Sequence, residues 1–167
     1  MDVFAHTLWT AAAYQRIARR DRLWAAFCGV APDLASFGIL FVQSFFTSGH
    51  QSGPPQLASI PLYIFTMYNL THSLVVFALV LSVVTTIHRK VWWPLFGWAL
   101  HIIIDIFTHS TDFFPTPFLW PVVDYRFNGI SWAEPWFMLI NYGALALVYV
   151  VWYRRVRRSR VLKRNVI

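Results

Sequence analysis

Charge is what this sequence has least of. Only 13% of its 167 residues are Asp, Glu, Lys or Arg, against about a quarter in ordinary soluble domains. With 57% hydrophobic and 19% aromatic residues, the chain reads as an integral membrane protein. Cysteine is almost missing as well. Cys28 alone excludes an intramolecular disulfide and any cysteine-built zinc motif, and it reads as a small core residue. There is no glycine-rich phosphate loop and no G-x-S-x-G elbow, so nucleotide-binding and serine-hydrolase readings have no support. No cationic stretch precedes the first apolar run and no small-residue cleavage site follows it, so residues 1 to 14 are expected to be retained.

What charge there is has a pattern. The net charge of +7 would suggest nucleic acid in a soluble protein, but the basic residues stand in short clusters between and after apolar runs, which is a topology signal. Five membrane segments are expected: residues 2 to about 18, Leu23 to Phe46, Ile60 to Ile87, Val91 to His109, and Ala133 to Tyr153. The first is short enough to be a half-span. Pro32 and Asp33 interrupt the second, where a kink turned toward protein is expected. Residues 48 to 59 and 110 to 132 read as loops by their Gly and Pro, with His50 solvated. Ser131 and Glu134 stand at capping-box spacing before the last segment. The expectation is an all-α polytopic helical bundle, residues 1 to 153 as one membrane domain and 154 to 167 as a basic cytoplasmic tail. Placing Arg16 to Arg22, Arg89-Lys90 and Arg154 to Arg164 inside puts the N-terminus outside, the C-terminus inside and both long loops outside. Arg154, Arg155, Arg157 and Arg158 could then meet anionic lipid. Trp92, Trp93, Trp120, Trp132 and Trp136 cluster near segment ends and read as an interfacial belt.

Within this apolar background one stretch concentrates polar chemistry: His101-Ile-Ile-Ile-Asp105-Ile-Phe-Thr108-His109-Ser-Thr-Asp112. At about 100° per residue, His101, Asp105 and Thr108 share one helical face, with His109 at its edge. A His and an Asp four apart can bind one cation, or they can satisfy each other between packed helices. Counted from the inside ends at about 1.5 Å per residue, His6 lies roughly 15 Å deep, Asp33 and His101 roughly 16 Å, Asp105 roughly 20 Å and His72 roughly 24 Å. Isolated polar residues would scatter in depth. A shared metal or proton site drawn from four helices would level them. Thr108 and Ser73 could orient its members. His109 and Asp112, at the outer mouth, read as a substrate contact, a general acid or an exposed helix end.

The motifs Ala5-His6-Thr7-Leu8, Ala31-Pro32-Asp33, Thr71-His72-Ser73 and His101-x-x-x-Asp105-x-x-Thr108 together resemble the YdjM-like family of membrane-bound metal-dependent hydrolases. The resemblance spans most of the chain. The order His, Asp, His, then His-x-x-x-Asp is also similar to the zinc-dependent phospholipases C and their nuclease relatives. That likeness implies that Asp33, His72, His101 and Asp105 hold one zinc and that His6 with Asp105 contributes to a second. The later His-x-x-x-Glu of the phospholipases has no match after His109.

Two classes of function follow as expectations. In the first, one or two divalent cations, zinc by ligand type, lower the pKa of a water and polarise the bond under attack. Asp105 and His109 are then the candidate catalytic residues, and the phospholipase likeness makes a lipid phosphoester the expected substrate. Nucleic acid is not expected as a partner. The setting would be a prokaryotic cytoplasmic membrane with the site open to the outside. In the second class the same His and Asp residues bind a transported cation or relay protons. A scaffold whose polar residues only hold helices together is the third possibility.

Overall fold

The computed structural model describes residues 1–46 and 60–164, and among these every regular element is a helix. The loop expected at 48 to 59, with His50, lies outside the described residues. In chain order the helices are α1 (Val3–Ala13), α2 (Arg19–Phe46), α3 (Leu62–Thr71), α4 (Leu74–His88), α5 (Phe96–Thr108) and α6 (Pro135–Arg164). A single 3₁₀ turn, Trp93–Leu95, leads into α5.

Length separates the helices into two kinds. The apolar parts of α2 and α6, Arg19–Gln43 and Pro135–Ser159, are each long enough to cross a membrane, and α3 with α4 forms a third candidate span bent by 60°. Large side chains such as Ile39, Phe41, Leu139 and Leu147 face outward from α2 and α6, as lipid contact requires. By contrast, α1 has 11 residues and α5 has 13, about 16 and 20 Å of helix against a hydrocarbon core of about 30 Å. Two to three spans are therefore what the helix lengths carry, and the short helices lie within the bundle the long ones frame.

The hub is α2, which packs on α1, α3 and α5. It runs through Pro32 without ending, although Pro32 has no N–H to give the preceding turn. The bend between α3 and α4 has a local cause. Ser73 sits in extended backbone and its Oγ accepts from the N–H groups of Val75 and Val76 at 3.1 and 3.2 Å, so α4 starts anew there. Ser73 also donates to the carbonyl of Trp120, and Leu74 N–H donates to Phe118 at 2.9 Å, which ties the break to the long loop.

That loop has no helix of its own and closes the end of α5. The N–H groups of Gly129, Ile130 and Trp132 donate to the carbonyls of His109, Phe107 and Thr108 at 2.8, 3.0 and 2.9 Å. These carbonyls would otherwise be orphans at a helix end. A Cβ at Gly129 would strike the Phe107 carbonyl, so only glycine lets the loop come this close. The Ser131–Glu134 segment forms a turn, Glu134 N–H to Ser131 carbonyl at 3.1 Å, and the helix begins at Pro135. At its far end α6 does not stop at Tyr153 but continues through the basic run to Arg164.

Gly97 sets the spacing of α2 and α5, because a Cβ there would meet the backbone carbonyl of Ala25, which cannot yield as a flexible side chain would. Gly97→Ala is expected to cost about 1–3 kcal/mol, read as a lower unfolding midpoint in mixed detergent micelles. Gly143→Ala, in α6 with open space around it, is the control and should be neutral or stabilising. Equal midpoints for the two variants would contradict this account of the α2–α5 contact.

Candidate metal centre

Three structural features bring four ligand side chains to one point. Asp33 comes from α2 just past Pro32, His72 from the break between α3 and α4, and His101 and Asp105 from successive turns of α5. All four are buried, and one ligand atom from each lies within 4.8 Å of the others. His101 Nε2 stands 3.2 Å from Asp105 Oδ2 and 3.8 Å from Asp33 Oδ1, while His72 Nε2 stands 3.6 and 3.5 Å from the same two atoms. The two imidazoles face each other, Nε2 to Nε2, at 3.0 Å.

The tautomers of these two rings follow from their other nitrogens. His101 Nδ1 lies 2.7 Å from the carbonyl of Gly29, which can only accept, so the proton is on Nδ1. His72 Nδ1 lies 3.2 Å from the carbonyl of Tyr68 and 2.9 Å from Thr71 Oγ1, and Thr71 in turn donates to Met67 at 2.8 Å. Its proton is on Nδ1 as well. In the neutral rings both Nε2 atoms then carry lone pairs, aimed at each other and at two carboxylates, with no donor between them. Such an array repels itself unless positive charge stands among its members, either a metal ion or a proton shared between the two Nε2 atoms. The five distances in which Nε2 of His72 or His101 takes part, 3.0 to 3.8 Å, are all shorter than twice a zinc–nitrogen or zinc–oxygen bond of about 2.1 Å, as one ion's shell requires, and all four ligand atoms lie within 4.8 Å of one another. Two imidazoles and two carboxylates suit zinc or a neighbouring transition metal by donor type. Asp105 Oδ2 adds a further sign, since it is a buried oxygen with no hydrogen-bond partner.

The other oxygen of Asp105 faces a different group of residues. Its Oδ1 lies 2.9 Å from His6 Nε2 and 3.5 Å from His109 Nε2, is also contacted by the Met1 amino group, and receives Thr108 Oγ1 at 3.4 Å. The Met1 amino group is 3.1 Å from His109 Nε2. Asp105 thus has two oxygens with separate tasks, Oδ2 toward the four-ligand group and Oδ1 toward His6 and His109. The rings are held by stacking as well: His6 on His101 with centroids 3.8 Å apart, and Tyr68 on His72 at 3.8 Å.

Each candidate residue can now be placed. His6, Asp33, His72, His101 and Asp105 converge, so the levels counted along straight helices correspond to one neighbourhood. His109 joins them and is not an exposed helix end: it leaves the helix in extended backbone, is 9% exposed, and hands its Nδ1 to the carbonyl of Phe114 at 2.8 Å. Asp112 stays on the surface. Thr108 reaches Asp105, whereas Ser73 caps a helix. Three contributors had no individual signal in the sequence: the Gly29 carbonyl, the Tyr68 ring and the Phe114 carbonyl.

Comparison with known proteins returned no match, whether with family models, curated proteins or solved structures. What the geometry defines is a class: an all-helical protein with two to three possible membrane spans and a buried His/Asp group able to hold a metal ion.

Tyr68 supplies the readout specific to this arrangement, since it stacks on His72 and donates to Phe114 at 2.8 Å. Tyr68→Leu is expected to weaken the affinity of the group for an added divalent metal ion about 10–100-fold in competition with a chelator, and Tyr68→Phe, which keeps the stack, by less. Retention unchanged in Tyr68→Leu would show that the His72 ring needs no such support.

Proposed function

We propose that the chain is a membrane-embedded metal-dependent hydrolase. The observation that carries this reading is the pair of His72 and His101 Nε2 lone pairs facing each other between two carboxylates. The proposed ion is zinc, held by Asp33, His72, His101 and Asp105. When bound, such a cation lowers the pKa of a water and polarises the bond to be cleaved.

The chain's own residues contribute orientation and proton handling. Gly29 and Tyr68 fix the protons of His101 and His72 on Nδ1, which leaves Nε2 free for a cation. His6 holds Asp105 by its other oxygen. His109, with Nδ1 committed to Phe114 and Nε2 toward Asp105, is placed to accept a proton on Nε2 and give it to a leaving oxygen. With Asp105 Oδ1, His6 also offers a donor for a second cation, as the phospholipase likeness implies; metal content distinguishes one from two. The proposed substrate is a lipid-like phosphoester. The charge clusters favour the N-terminus and the 110 to 132 loop on the outer side of a prokaryotic cytoplasmic membrane, with the site open to that side and Arg154, Arg155, Arg157 and Arg158 on the inner surface.

A continuous set of close contacts runs from His6 through Asp105 and His101 to His72 and Asp33, and this specific feature favours a proton or ion pathway as the second reading.

Asp105→Asn separates the two readings. The hydrolase reading expects about one zinc per wild-type chain, its loss in Asp105→Asn, and cation-dependent hydrolysis within a phosphoester panel that falls at least 100-fold in the variant. Folded wild-type protein that retains no stoichiometric metal after zinc supplementation would overturn it and leave the pathway. For the orientation, a cysteine at position 124 should be labelled from the outer face of intact cells, and labelling only from the inner face would reverse the assignment.

A further inference from the structure

Beside the metal centre lies a cavity of about 480 Å³ between α1, α5 and α6, bounded by residues from Met1 to Ala13, Leu100 to Thr108 and Phe137 to Val148. It exists because α6 packs on α1, through Trp9 and Tyr149, and leaves space on the α5 side. From the residue ranges on α5 and α6, its length is about 12 to 17 Å along the helices. Its walls are almost wholly apolar, and the volume is that of a small-molecule site. Met1 and Thr108 form one end, and both touch Asp105. At the opposite end are Ala12, Ala13 and Val148.

Of the polar side chains on this wall, Trp9 donates to Asn141 and Thr108 to Asp105, and Asn141 keeps a donor unmet. Asn141 is 7% exposed, and its Oδ1 accepts the indole N–H of Trp9 at 2.8 Å. Because an indole can only donate, this bond fixes the amide so that Nδ2 is the other end. Asn141 Nδ2 is buried and has no hydrogen-bond partner. An unmet N–H donor in an apolar membrane interior is costly, and a carbonyl oxygen of an occupant would satisfy it.

We propose that this cavity binds one acyl chain of a glycerolipid, with Asn141 Nδ2 donating to the ester carbonyl at the head of that chain. The chemistry on each side agrees with such an occupant. Leu100, Ile104, Phe137 and Val148 meet methylenes, the one unmet donor meets the carbonyl that joins chain to glycerol, and the head of the lipid is left at the Asp105 end. The order along α6 is the order along the lipid: Phe137 and Asn141 near the centre, Val148 farther away. That the bound lipid is the substrate rests on the hydrolase reading; that lipid occupies the cavity does not.

The test uses full-length protein in nanodiscs of phosphatidylcholine, doped with a phosphatidylglycerol that carries a diazirine on one acyl chain, with cross-links mapped by mass spectrometry. Labelling is expected on the cavity walls of α1, α5 and α6. An ether-linked analogue, which has the same chains and no carbonyl, should label the wild-type cavity about three- to tenfold less, the worth of one net hydrogen bond. Asn141→Leu should remove the preference for the ester, and Val148→Trp, at the far end, should favour shorter chains. Equal labelling by ester and ether lipids in the wild type, which needs no variant to fold, would overturn the role of Asn141. Cross-links confined to the outer faces of α2 and α6, or α6 joined to α6 of a second copy, would overturn the acyl site. Cavity labelling with the expected ester preference but no metal-dependent hydrolysis would sustain the site and remove the hydrolase reading.

Discussion

Two carboxylates and two imidazole lone pairs aimed at one point inside an apolar bundle form an arrangement that cannot stand without positive charge. Asp33 and Asp105 are buried, and removing an ionised carboxylate from water costs several kcal/mol even after relaxation unless it is paired. Intramembrane ionisable groups are tolerated where they face the bundle interior and find partners. Much of the architecture serves that requirement. The close approach at Gly97 brings α5 against α2, the start of α4 at Ser73 delivers His72, and the α5 register places His101 and Asp105 on one face.

Backbone carbonyls do the orienting. Gly29, Tyr68 and Phe114 each receive an Nδ1 atom, from His101, His72 and His109 in turn. The consequence is the same for all three rings, because a proton committed to a carbonyl leaves Nε2 for the centre. Free carbonyls at membrane depth are scarce, since a regular helix uses each of them. One of the three lies at an irregular place, Phe114 in the loop with a left-handed φ of 48°, while Gly29 stands within α2, in the turn before Pro32.

The membrane class, the helical content and the convergence of five polar residues could be read from the chain, each for a physical reason. Scarce charge and long apolar runs dictate the first two, and the four-residue spacing of His101 and Asp105 puts them on one face whatever the tertiary structure. The residue count that brought His6, Asp33 and His72 to one level assumed straight spanning helices, whereas α1 and α5 are too short to span and the packing of α1, α3 and α5 on α2 is what brings these residues together. The irregular parts were less accessible. The run from Ile60 to Ile87 is long enough to read as one segment despite the polar cluster Asn69, Thr71, His72 and Ser73 in its middle, and within that cluster Ser73 before Leu74, an N-cap signal, marks the break. Tyr68 is one aromatic among many, and nothing in its local sequence distinguishes a ring that stacks on a histidine from one that faces lipid. His109 could be weighed as a helix end because its burial depends on a loop whose path runs through the non-local bonds of Gly129, Ile130 and Trp132.

Whether Asp33, His72, His101 and Asp105 jointly hold one divalent cation, as proposed, is tested directly by X-ray absorption at the zinc edge of the purified protein. A first shell of nitrogen and oxygen at about 2.0–2.1 Å is expected, with the outer-shell scattering of two imidazoles. A shell of oxygen alone without imidazole scattering, or zinc that buffer exchange removes, would contradict it.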